Sequence, residues 1–165
     1  MYGSLSLGFL AVATVERSEL GRSLVEIGVL SFEAAADFQD AADADRLSEA
    51  ISRTFAATAA GSGLPERDVA TINSYASDEP PTLVLRIDGS VARNATAPVR
   101  AALAAVARDA VETIAHHALD LRTCEGRGCG RMFLDRSRAK GRRWCSMRRC
   151  GNRTKVAAFR RLRSG

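Results

Sequence analysis

The sequence predicts an α+β fold: a mainly helical N-terminal domain carrying one small antiparallel hairpin, then a compact four-cysteine module that ends in a helix. Three observations predict it. Apolar residues recur at helical spacing over residues 43–60 and 98–121, alternating residues flank an Asp-Gly pair at 88–89, and all four cysteines fall within residues 124–150. The length of 165 residues suits one compact domain with a small appendage, and the expected division is 1–121 and 122–165.

The elements follow in chain order. Leu5–Val15 reads as a buried strand, Leu24–Leu30 as a short helix turn or a strand, and the Ala- and Asp-rich stretch 32–45 as helix or partly loop. A clearer helix runs from about Asp43 to Ala60 with Leu47, Ile51, Phe55 and Thr58 on one face, and Gly61-Ser62-Gly63 stops it. Pro65 suits the first turn of a short helix reaching Tyr75, with Val69 and Ile72 inward. Leu83, Leu85 and Ile87 alternate as in a half-buried strand; Asp88-Gly89 signals a hairpin turn, and Val91–Thr96 is the return strand. Pro98 opens the longest helix, to about Leu121. Its core stripe is Val99, Leu103, Val106, Ala110, Ile114 and His117, with Arg100, Arg108, Asp109 and Glu112 outside.

Composition narrows the function classes. Hydrophobic residues make up 46% of the chain and aromatics only 5%, which predicts a helical core of small side chains. No stretch has the roughly 18 apolar residues of a membrane span. Leu5–Val15 lacks a basic leader and a cleavage site, so it is not read as a secretory signal, and a cytoplasmic location is expected. The net charge of +5 conceals a division: residues 122–165 hold fifteen Lys and Arg against Glu125 and Asp135, a balance of +13, while residues 1–121 balance at −8. Such asymmetry points to a polyanion partner for the basic segment. No glycine-rich phosphate loop, nucleophile–base pair or open metal site is evident, so no enzymatic role is expected.

The cysteines are spaced C-x4-C, fifteen residues, C-x4-C, as Cys124, Cys129, Cys145 and Cys150. Two close pairs separated by a loop are what a four-thiolate zinc site requires, and four thiolates leave the ion no open position. One structural Zn²⁺ is therefore expected, in preference to disulfides or a redox pair. Gly126, Gly128 and Gly130 let the first turn curl with its amides toward the sulfurs. Residues 131–135 and 141–145 are expected to pair as a hairpin turning near 137–140, with Cys150 at the start of a helix to about Arg163, a treble-clef-like arrangement. Arg131, Arg143 and Arg148 are placed to offset the formal −2 of a zinc tetrathiolate. With the cysteine set complete, His116 and His117 are assigned to core or interface rather than metal. Zinc loss is expected to unfold residues 124–165 while the N-terminal domain stays folded.

On the C-terminal helix Val156, Phe159 and Leu162 share a face expected to pack on the hairpin and Trp144, opposite Arg153, Arg160 and Arg161 with Ala157 between them. Arg136, Arg138, Lys140, Arg142 and Arg143 form a second basic patch at the hairpin. These eight side chains are the candidate nucleic-acid contacts.

The stretch Cys124–Lys155 resembles the CGNR zinc-finger family: Cys150-Gly151-Asn152-Arg153 is the naming motif, with Phe133, Asp135 and Ser137 as F-x-D-x-S and Arg142–Ser146 as the segment before it. The preceding region is similar to the ABATE domain of stress-response regulators, through "LVEIGVL", "LSEAISRTF", "DVATIN" and "ARDAVETIA". The resemblance implies a zinc-dependent transcription regulator that binds double-stranded DNA, with an N-terminal domain that senses a small-molecule effector or forms a homodimer. RNA binding or a protein-interaction role for the zinc module is the alternative. Within the motif Asn152 caps the helix or reaches a base, with capping favoured, and Gly151 permits close backbone approach.

Overall fold

The computed structural model describes residues 4–12, 17–154 and 156. The α-helices of the described residues are α1 Leu5–Val12, α2 Arg17–Glu26, α3 Phe38–Ala60, α4 Glu66–Ala76 and α5 Pro98–His117. Strands β1 Thr82–Leu85 and β2 Val91–Asn94 lie between α4 and α5, while β3 Leu121–Thr123 and β4 Met132–Leu134 follow them. A 3₁₀ turn over Ala118–Asp120 separates α5 from β3, and a π-helical turn over Met147–Gly151 precedes residues 152–154 in α conformation. The α+β expectation holds.

The segment expected as a strand at Leu5–Val15 is a helix, and its cap comes from far along the chain. Asp109 on α5 accepts the Ser6 amide at 2.8 Å and the hydroxyls of Ser6 and Ser4 at 2.6 Å each. Phe9 on this helix is fully buried. Asp109 is thus not a solvent-facing residue of α5. Asp109→Ala should cost about 0.5–2 kcal/mol, as for loss of an N-cap, and lower the melting temperature of the zinc-loaded chain by several degrees.

Helix α3 starts at Phe38 rather than near Asp43 because a capping box fixes its first turn. The Asp40 amide donates to Asp37 Oδ1 at 2.8 Å, and the Asp37 amide donates to Asp40 Oδ2 at 3.0 Å. Gly61, with φ of 66°, closes the helix in the left-handed region. Pro65 is the N-cap of α4 rather than part of its first turn. Arg53 clamps α4 to α3, donating to both oxygens of buried Asp68 at 2.9 and 2.8 Å.

Leu24, Leu47, Ile51, Phe55, Leu103 and Val106 are buried together where α2, α3 and α5 meet. His117, expected on the core stripe, is instead 41% exposed, and His116 faces Glu112 at 3.2 Å on the surface.

The expected β1–β2 hairpin forms, with Thr82 opposite Asn94 and Leu85 opposite Val91, and Gly89 turns it at φ of 79°. Its expected half-burial does not occur. Leu83 and Leu85 are 64% and 76% exposed, because the ribbon stands off the helices and buries only Ala92.

The second ribbon differs from expectation. Residues 132–134 pair with 121–123, not with 141–145: Leu121 lies opposite Leu134 and Thr123 opposite Met132. The amide of Cys124 donates to the Arg131 carbonyl at 2.9 Å, so the first cysteine pair occupies the connection of this hairpin. Leu121 and Leu134 belong to the same core as α3 and α5. The cysteine module is therefore rooted in the helical domain.

Candidate metal centre

The local chain path explains how the cysteines converge. After β3, Gly128 and Gly130 take φ of 68° and 57°, and the Gly126 carbonyl accepts the Cys129 amide at 2.8 Å, which closes the first turn. Ser146 then caps the second: its side chain accepts the Arg149 amide, and its carbonyl accepts the Cys150 amide at 2.9 Å. Ser146, not Asn152, is the cap; Asn152 already lies in α conformation and is exposed.

The Sγ atoms of Cys124, Cys129, Cys145 and Cys150 all lie within 4.8 Å of one another. Cys129–Cys145 and Cys145–Cys150 separations are both 3.8 Å. A tetrahedron with Zn–S bonds of about 2.3 Å has edges of about 3.8 Å, so the donor set fits zinc in both chemistry and spacing. Backbone amides of Gly126 and Cys145 point at Cys124 Sγ from 3.4 and 3.3 Å. In the metal-free form the Arg131 backbone amide lowers the Cys129 thiol to about 7. Burial, followed by the neighbouring sulfurs, raises Cys145 to about 12. Of these two thiols, Cys129 is the closer to ionisation at neutral pH.

Residues 121–163 match the CGNR zinc finger, and residues 14–117 match ABATE, described as "Putative stress-induced transcription regulator". The chain belongs to the ABATE family. No curated protein matches it. The CGNR finger match and the four-sulfur cluster together establish one structural zinc, and four thiolates complete its coordination. Neither matched family is enzymatic by description. Among the described residues no helix is long and apolar enough to cross a membrane.

Around the metal centre the ABATE-family chain uses its polar residues as struts. Asp135 is fully buried; it accepts the Ser137 hydroxyl at 2.6 Å, the Ser137 amide at 3.0 Å and the Arg142 amide at 2.8 Å, and its own amide donates to the Asp120 carbonyl at 2.7 Å. The Ser137 hydroxyl first, then the two amides, hold its carboxyl at about 2 against burial, so it is charged at neutral pH. Asp135→Asn would turn one acceptor into a donor facing an N–H or O–H. The variant should melt at a lower temperature at pH 7 while keeping one zinc per chain, read by calorimetry and metal analysis. Nothing in the spacing alone assigned this role to Asp135, although an acid two residues before Ser in an arginine-rich segment is an Asx-turn signal.

The eight candidate nucleic-acid contacts divide. Arg136 and Arg138 are exposed at the turn following β4. Lys140 is bound to Asp120 at 2.6 Å. Arg142 lies over Phe133, 5.3 Å from the ring centroid, and donates to the Cys145 carbonyl at 2.9 Å. Arg143 pairs with Glu125 at 2.6 Å and stacks on Trp144. Arg153 donates to the Arg127 carbonyl at 3.3 Å and lies 3.9 Å from Cys150 Sγ, so it is Arg153 rather than Arg143 that approaches a thiolate. Arg160 and Arg161 lie outside the described residues, as do Ala157, Phe159 and Leu162; Val156 is 50% exposed. Gly151 does provide a close approach, but within the chain: a Cβ there would meet Met147 Sδ at 2.7 Å and Trp144 at 3.4 Å. The spacing argument missed Arg149, an exposed arginine presented by the turn that holds Cys150.

Proposed function

We propose that the protein is a zinc-dependent DNA-binding transcription regulator whose residues 122–165 contact the duplex and whose residues 1–121 sense an effector or dimerise. One observation carries this reading. The basic module has only two acids, and both are committed internally: Glu125 to Arg143 and Asp135 beneath Ser137 and Arg142. Neither carboxylate is left to blunt the field of fifteen basic residues. Arg136, Arg138, Lys140, Arg142, Arg143 and Arg153 remain exposed even where they also serve as struts, so guanidinium and ammonium edges are open to phosphate oxygens. Arg160 and Arg161 extend the same charge along the chain. Asn152 is exposed beside Arg153, where an amide suits adenine readout.

Anisotropy of a labelled duplex titrated with zinc-loaded protein tests this. Affinity should fall steeply as salt rises, and Arg138→Gln should lower the slope of log K against log salt by about 1. Salt-independent affinity contradicts the reading. Stronger capture of an RNA duplex of matched length would transfer it to RNA.

A further inference from the structure

A cleft of about 650 Å³ lies where α1 meets the finger, with Leu7 and Phe133 in its lining. Arg131, Arg136, Arg142, Arg149 and Arg153 line it, and no lining residue is acidic. Some exposed cations elsewhere have close carboxylates: Asp68 for Arg53, Asp78 for Arg100, Glu125 for Arg143 and Asp120 for Lys140. The second cleft in the chain follows that pattern, since Arg100 there faces Asp78. Among the described residues, Arg131, Arg142, Arg149 and Arg153 of the first cleft have no carboxylate within ion-pair distance.

The thiolates do not account for them. A zinc tetrathiolate has a formal charge of −2, and the guanidiniums of Arg131, Arg142, Arg149 and Arg153 alone exceed it by two positive charges. Arg153 lies 3.9 Å from Cys150 Sγ. A site with two surplus positive charges and several planar donor forks is complementary to a phosphorylated anion carrying at least two negative charges. Its volume lies in the roughly 300–1,000 Å³ range of small-molecule sites. A duplex is too wide to enter such a concavity, whereas a diphosphate with an attached group fits it.

We infer that this cleft binds the diphosphate group of a small ligand, held by Arg131, Arg142, Arg149 and Arg153 between the helical domain and the finger. The ligand would touch α1 through the Leu7 side and the finger through its arginines, so one molecule spans both parts of the chain. Inorganic pyrophosphate and a nucleoside diphosphate share the required chemistry. The inference does not depend on duplex binding, and it can fail or stand separately from it.

The test is calorimetric titration of the zinc-loaded full chain, without DNA, using inorganic pyrophosphate in one arm, ADP in a second and AMP in a third. The inference predicts saturable 1:1 binding of a diphosphate, at least 10-fold tighter than AMP. If pyrophosphate and ADP bind equally, the diphosphate alone is recognised; tighter ADP binding shows that the cleft also takes the attached nucleoside. Arg149→Gln, whose side chain is exposed and which should retain zinc and melting temperature, should weaken diphosphate binding at least 10-fold. Arg138→Gln, outside the cleft, should leave it unchanged. Non-saturable binding, or equal losses in the two variants, would show diffuse attraction and overturn the inference. So would a loss of duplex affinity in Arg149→Gln with no diphosphate binding by the parent, and that result would leave the DNA reading intact.

Discussion

Chelating the zinc is expected to unfold the cysteine module and also to lower the melting temperature of the helical domain. The first part follows from size. Among the described residues the satellite core of the module is Cys124, Phe133 and Cys150, with Cys129, Trp144 and Cys145 packed against them. That is too little apolar surface to hold a segment so highly charged. Structural zinc supplies on the order of 10–16 kcal/mol in isolated finger peptides, so the metal dominates the module's stability. The second part follows from the shared strands. Leu121 and Leu134 are packed with the residues of α3 and α5, and Asp135 is bonded to Asp120. When β4 is released, those side chains lose their fixed partners, while helices α1, α3 and α5 keep most of their own contacts. Circular dichroism of the stripped chain should show retained helix, with a melting point several degrees below the loaded form. Cys150→Ser should reproduce this in the presence of zinc. An unchanged melt after stoichiometric metal removal would show that the strands are held by other means.

Gly126→Ala should weaken zinc binding strongly while sparing the cysteines themselves. A Cβ at this position would sit 2.8 Å from Cys150 Cβ, 3.1 Å from its Sγ and 3.4 Å from Cys124 Sγ. None of these neighbours is the far end of a flexible side chain, so the ligands themselves must move. A displaced sulfur loses the tetrahedral spacing, and zinc affinity should fall about 10–100-fold, the range for disturbed outer-shell groups. Gly128→Ala is the comparison. Its added methyl meets nothing within 4 Å, but φ of 68° makes it strained. It should cost about 1–2 kcal/mol of stability with a smaller change in metal affinity. Competition with a chelator of known affinity separates the two. Equal zinc affinity for Gly126→Ala and the parent would mean that the cluster is not close-packed around this glycine.

The metal centre was legible because thiol spacing is local: two C-x4-C pairs and the glycines between the first of them specify turns that need no distant partner. Helix α5 and the Asp88-Gly89 hairpin were legible for the same reason. What sequence reasoning misplaced depends on contacts across the chain. Helix α1 is capped by Asp109, more than a hundred residues away, and its apolar run has no polar stripe to distinguish helix from strand. Strand β3 follows α5 so closely that Leu121 read as the end of that helix, which left 132–134 to be paired with the wrong segment. The hairpin β1–β2 shows the converse. Alternation set its secondary structure correctly, but alternation cannot say whether a second layer exists to cover it. Among the basic residues, charge was visible in the sequence and function as struts was not: Arg142, Arg143 and Arg153 each bond within the module.

The account's central claim is that zinc fixes a basic surface that binds nucleic acid. The most direct measurement is the affinity of one labelled duplex for the full chain in zinc-loaded, stripped and re-loaded states, each across a range of salt. The account predicts salt-dependent binding by the loaded chain, its loss on stripping, and its recovery on adding one equivalent of zinc. Binding of the same affinity and salt slope in the stripped chain would contradict it.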